Sequence, residues 1–262
     1  MERFCLYHPR MAFVLLLLLI LLLTAVFALL QIPLWLTLAE AACLFLGGWG
    51  YLTSRPFAFV ERATKILREQ CDPYPMAQAC EEMCTLVRNP ALRQIILINL
   101  AVARSEMGQY EACVQIMQDS GGEAMLALQQ PSSRAIYYNN IASFYIELGR
   151  LEEAAAALQK AMDLWDMIKI SKQREGIGRA IHATKAELAV AREDYSAAIS
   201  LVSRLPEDHA RALVNKAFLR AKIHLALGEQ EAARLALQYV VANANRLHCR
   251  VEAEEMLATL NG

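Results

Sequence analysis

Apolar residues follow two different patterns along this chain. From Met11 to Leu30, MAFVLLLLLILLLTAVFALL runs without a charge, and Leu34 to Thr53, LWLTLAEAACLFLGGWGYLT, holds a single charged residue, Glu40. A helix of about twenty residues rises about 30 Å, the hydrocarbon thickness of a bilayer. Pro33 lacks an N–H and disfavours helix at the residue before it, so the break between the two stretches belongs there. Two spanning helices at about 11–30 and 34–53, joined by so short a turn, are expected to form a tight antiparallel hairpin. Glu40 lies about two helical turns from that turn and can reach the interface. Beyond residue 54 the apolar residues recur at i, i+3, i+4 and i+7 between charged positions. That is the period of amphipathic helices packing on one another.

Residues 137–161, YYNNIASFYIELGRLEEAAAALQKA, show how such helices meet. Tyr138, Ile141, Ala142 and Tyr145 fall on one helical face, and Gly149 is placed to take the left-handed backbone of a helix stop. Ala154, Leu158 and Ala161 mark a second helix. Small residues at facing points let two antiparallel helices approach closely while the tyrosines fill the space beside them. Three further segments repeat the plan. LINLAVARSEMGQYEACVQIM offers Ala101, Gly108 and Cys113; HATKAELAVAREDYSAAISLV offers Ala186 and Ala198, with Glu193 where the turn glycine would stand; AFLRAKIHLALGEQEAARLAL offers Ala221, Gly228 and Ala233.

This pattern resembles the tetratricopeptide repeat, whose signature is an aromatic, a large aliphatic, a small residue and an aromatic, then alanine, a bulky residue and alanine. Tyr138, Ile141, Ala142, Tyr145, Ala154, Leu158 and Ala161 match those roles, and Asp166 stands where a closing proline is common. The four turn markers are separated by 41, 44 and 35 residues, against a family period of about 34. SGGEAMLALQQPSS and the region around SKQREGIG can hold the extra residues as longer helices or loops. Asp72-Pro73-Tyr74-Pro75 suits a degenerate unit between helices at about 57–70 and 76–88. The tail from Asn245 to Leu260 reads as a helix covering the last hairpin, as solenoids require at their ends.

The resemblance implies a right-handed α-solenoid with a concave groove that takes a protein or peptide. In related solenoids the side of the first helix that carries Asn99 and Asn140 lines that groove, and Ser143 completes the candidate set. Family members that clamp a terminal carboxylate use asparagines there with neighbouring lysines or arginines, which these two repeats lack. Hydrogen bonding to an extended peptide backbone is one role open to Asn99 and Asn140; solvated or locally bonded amides are the other.

Composition adds three limits. Twenty-six basic against 27 acidic residues give no generally cationic surface for nucleic acid. Seven scattered cysteines form no dense disulfide framework, and free thiols in a reducing compartment are the simpler reading. Orientation follows from basic flanks: Arg3 and Arg10 precede the first span, while Arg55, Arg62, Lys65 and Arg68 follow the second, so both termini are expected to be cytoplasmic. A cleaved leader with Ala39-Glu40-Ala41 as its cleavage site fits less well, because the apolar start is too long and a second run follows.

The sequence contains no P-loop, dinucleotide fingerprint, HExxH or nucleophile elbow. Cys71, Cys80 and Cys84 are the one candidate redox or metal cluster, and small half-buried thiols are the commoner explanation for them. The expectation is therefore an all-α, non-enzymatic protein without cofactor: a transmembrane hairpin over residues 1–54 and a tetratricopeptide-like solenoid over 55–262. It would bind a protein or peptide partner on the cytoplasmic side and contact lipid through 11–53. A structural subunit of a larger homo- or hetero-oligomeric membrane complex is the alternative.

Overall fold

The computed structural model describes residues 9–120 and 130–261, so Arg3, Cys5 and most of SGGEAMLALQQPSS lie outside the described residues. The described residues form twelve α-helices and no strand. The chain divides into two compact units, Met1–Arg62 and Ala63–Gly262.

The first unit holds α1 (Pro9–Leu29) and most of α2 (Leu34–Gln70). The chain breaks where Pro33 predicts. Gln31 takes φ 54°, its N–H reaches the Ala28 carbonyl at 3.2 Å, and the Ile32 N–H reaches that of Phe27 at 3.1 Å. This six-to-one pairing is a Schellman stop, and it satisfies carbonyls the helix end leaves open. The two helices touch. Phe13 meets Trp49 edge-on at 5.5 Å, and a Cβ added at Gly48 would sit within 2.5 Å of Leu16. One helix among the described residues, over Met11–Leu29, is long and apolar enough to cross a membrane, with mean hydropathy 3.2. Those properties suit a membrane span and a signal sequence alike.

The second apolar stretch is the first part of a 37-residue helix that runs on to Gln70, so the separate helix expected over 57–70 is its continuation. Pro56 removes one backbone donor, yet the helix continues through it. The division between units consequently falls within α2, later than the expected boundary at 54/55.

The second unit continues with α3 (Tyr74–Leu86), α4 (Pro90–Ser105), α5 (Tyr110–Asp119), α6 (Pro131–Glu147), α7 (Leu151–Asp166), α8 (Ser171–Ala191), α9 (Tyr195–Ser203), α10 (Ala210–Ala226), α11 (Gln230–Asn243) and α12 (His248–Asn261). Each helix packs on the next, and α4, α6, α8 and α10 also pack in sequence on one another. These four first helices form one continuous row, the arrangement of a stacked solenoid. Local chemistry sets several starts. Asn89 accepts the Leu92 N–H before Pro90, and Asp194 accepts that of Ala197, each satisfying a donor that the first turn leaves unpaired.

The hairpin turns are built alike. Gly108, Gly149, Glu193 and Gly228 have φ of 78°, 71°, 61° and 75°. In each turn the N–H of that residue reaches the carbonyl three back, and the next N–H reaches five back: Gln109 to Arg104, Arg150 to Tyr145, Asp194 to Ala189 and Glu229 to His224, at 2.8–3.1 Å. Four Schellman stops thus set four helix reversals, one of them without glycine.

The extra residues around SKQREGIG extend a helix: α8 has 21 residues, against 16 or 17 in the other first helices. Trp165 holds that extension. Its indole N–H donates to the Arg174 carbonyl at 2.7 Å, and its ring lies 2.9 Å from where a Gly178 Cβ would stand.

Candidate functional site

The residues that bring the helices of each pair together are fully buried. Ala101, Ala142, Ala186 and Ala221 on the first helices, and Cys113, Ala154, Ala198 and Ala233 on the second, all have 0% exposure. The Cys113 thiol donates to the Ala101 carbonyl at 3.1 Å, so a sulfhydryl fills the notch that alanine fills elsewhere. Tyr138 and Tyr145 pack half-buried against the core shared by α4 to α8. About a quarter turn from these contact points, Ser143 and Glu187 face each other along the row, on the side that the tetratricopeptide resemblance makes its inner surface.

The sequence candidates fall on that row, with different roles. Asn99 on α4 donates its amide to the Ile95 carbonyl one turn back at 3.0 Å, a local bond. Asn140 on α6 is half-buried. Ser143, also on α6, donates its hydroxyl across to Glu187 of α8 at 2.9 Å. The structure therefore joins Ser143 to α8, and Asn99 and Asn140 remain on separate helices without a bond between them.

A larger polar constellation surrounds this contact. Arg211 of α10 donates Nε to Glu106 at 2.7 Å, tying the fourth hairpin to the first turn of the row. Lys222 of α10 lies 3.6 Å from Glu252 of α12. Glu147, at the end of α6, is exposed, with Lys222, Glu187, Glu252 and Glu106 within electrostatic reach of its carboxyl. Desolvation raises its carboxyl to about 7, opposed by Lys222 and helped by the negative charges of Glu187, Glu252 and Glu106. Desolvation likewise raises Glu187, against the Ser143 hydrogen bond.

The first turns of α12 close one side of this region. The His248 N–H donates to the Glu106 carbonyl at 2.8 Å, and the His248 ring meets Tyr110 edge-on at 6.1 Å. Just before α12, Asn245 donates to the Gln70 carbonyl at 2.7 Å, and the Arg246 guanidinium lies 3.6 Å over the Tyr74 ring. The last helix thus packs on α11 and also binds the beginning of the same unit, more than the capping role expected of it.

Sequence reasoning missed Glu106, Glu147, Glu187, Arg211, Lys222 and Glu252. A signal for four of them was present. Glu187 and Lys222, like Ser143, immediately follow the close-approach alanine of their helices; Glu106 and Glu147 each stand five residues after theirs. Those two offsets return to the inner face. Arg211 and Glu252 required the tertiary path of α10 and α12.

The cysteine cluster has little reactive character. Cys71 and Cys80 are buried, Cys84 is half-buried, and all three are free thiols. Burial raises Cys80 to about 12 and raises Cys71 and Cys84 as well, which keeps the thiols protonated near neutral pH. Among the described residues no three His, Cys, Asp or Glu side chains are placed to hold a metal ion. A cleft between α9 and α10 is lined by Ile199, Val202, Lys216, Arg220 and Leu227.

Comparison with known families finds a tetratricopeptide repeat at residues 135–164, spanning α6 and α7. No curated protein and no solved structure matches the chain. Tetratricopeptide repeats generally mediate protein–protein interaction, which suggests a protein-interaction adaptor or scaffold.

Proposed function

We propose that this chain is a membrane-anchored adaptor whose solenoid binds a protein or peptide along its inner face, on the cytoplasmic side. The row of α4, α6, α8 and α10 carries the reading: four first helices are stacked with buried alanines toward their partners, and Ser143 and Glu187 bond along the row. The N-terminal helices supply the anchor. Met11–Leu29 is apolar and only 6% buried, and α2 continues the apolar run from Leu34. Holding the solenoid at the bilayer would concentrate its partner there.

The test uses tagged full-length protein in mild non-ionic detergent, captured from its own membranes. Ser143→Leu with Glu147→Ala should lose a partner that the wild-type protein retains, while both proteins keep the same helical signal. Equal recovery by the two proteins would remove the inner-face assignment.

A structural-subunit reading has one observation in its favour. A Cβ added at Gly47 or Gly50 would meet nothing within 4 Å, so that side of α2 is open to close approach by another helix. A strictly monomeric particle in mild detergent would exclude it. A cysteine-based redox or metal role is the third reading; metal analysis showing no zinc or iron would remove its metal form.

A further inference from the structure

The inner faces of α6 and α8 carry more hydrogen-bond acceptors than their neighbours satisfy. Asn139, Ser143 and Glu147 recur at i, i+4 and i+8, one stripe of α6. The bond from Ser143 to Glu187 shows which way that stripe faces. Asn139 stands one turn earlier on it, only 5% exposed, and its Oδ1 has no hydrogen-bond partner. A buried acceptor left unpaired works against the fold, and such a group calls for a donor.

The charges around it are unbalanced in the same sense. Glu106 engages Arg211, and Glu252 lies against Lys222. Among the described residues these pairings leave Glu147 and Glu187 without an ion-pair partner; Glu187 has the Ser143 hydroxyl. Both carboxyls are raised by desolvation, and an approaching cation would lower them. A metal ion would need several ligands converging on one point, which these side chains do not provide. Acceptors spread over two helices suit guanidinium or ammonium groups on long side chains.

We propose that Asn139, Ser143, Glu147 and Glu187 form a binding site for an extended peptide segment bearing arginine or lysine. The site rests on the adaptor reading above and defines the chemistry of the partner. Carboxylates take the cationic head groups and set specificity against acidic segments. The Asn139 amide oxygen, closed to solvent in the unbound chain, accepts a guanidinium or backbone N–H once its side chain turns toward the row.

Fluorescence anisotropy on the full-length protein in non-ionic detergent tests this. The probe is a labelled decapeptide alternating arginine and alanine; the controls are its glutamate counterpart and unlabelled spermidine as competitor. The arginine peptide should bind, more weakly as salt is raised, and the glutamate peptide should not. Glu147→Gln with Glu187→Gln, close in size to the native side chains, should weaken binding at least tenfold. Asn139→Leu should weaken it about threefold. Should the double variant lose helical signal, Glu147→Gln alone carries the comparison, with a loss of about threefold or more expected. Equal binding of the two peptides, or unchanged binding by the carboxamide variants, would overturn the proposal. Spermidine competing as tightly as the peptide itself would also overturn it, by making the ligand a free polyamine. If the arginine peptide fails while native partners still crosslink to the inner face, the cation assignment falls and the adaptor reading stands.

Discussion

Glu193→Gly should stabilise the solenoid, because this residue does a glycine's work in the third of four equivalent turns. Its φ of 61° lies beside the 71–78° of the turn glycines, and its N–H makes the same bond to the carbonyl three residues back. The side chain is exposed, so removing it gives up no packing. A side chain in the left-handed region costs about 1–2 kcal/mol. Glycine's greater freedom in the unfolded chain offsets about 0.5–1 kcal/mol of that. The net gain is about 1 kcal/mol, equivalent to about 2–4 °C in melting temperature for a unit of this size. The reverse changes calibrate it. Gly149→Ala and Gly228→Ala meet open space, so only the backbone term acts and each should lose about 1 kcal/mol. Gly108→Ala should lose more, since its new methyl would stand 2.7 Å from the His248 ring. Thermal unfolding followed by circular dichroism, with amide exchange at Asp194 as a local readout, measures the series. A destabilised Glu193→Gly, or a neutral Gly149→Ala, would refute the equivalence of the turns.

Other consequences are as direct. Ala142→Leu forces a large side chain into a point with 0% exposure and should destabilise by about 1–3 kcal/mol or more, read as a lower denaturation midpoint. Glu147 titrates higher in the folded protein, so the folded state binds the extra proton between the ordinary carboxyl range and about 7. Stability should therefore fall as pH rises through that window, and Glu147→Gln should flatten the slope in denaturation curves taken across it. Membranes washed in alkaline carbonate should retain the full-length protein; release into the supernatant would remove the anchor.

Much of the solenoid was legible because its contacts are local. A small residue, a turn and a second small residue lie within one hairpin, so Ala142, Gly149 and Ala154 display their relation in the sequence. Glu193 could be aligned with the glycines by the spacing around it, although its type argues for continued helix. The length of α2 was not legible: an apolar span at 34–53 and an amphipathic helix at about 57–70 read as separate elements, and one helix runs through both, Pro56 included. The polar lining was hidden for another reason. Glu106 and Arg211 are over a hundred residues apart and meet only once the hairpins have stacked, and α12 adds Glu252 from the end of the unit. Asn99 and Asn140 drew attention as amides, whereas Asn139 holds the unpaired buried oxygen.

Site-specific photo-crosslinking in native membranes tests the adaptor reading most directly. A benzophenone amino acid replacing Asn140 on the inner face should capture a partner, while the same group replacing Gln159, exposed on α7, should capture none. Adducts from position 159 with none from position 140 would put the interaction on the other side of the array and contradict the inner-face site.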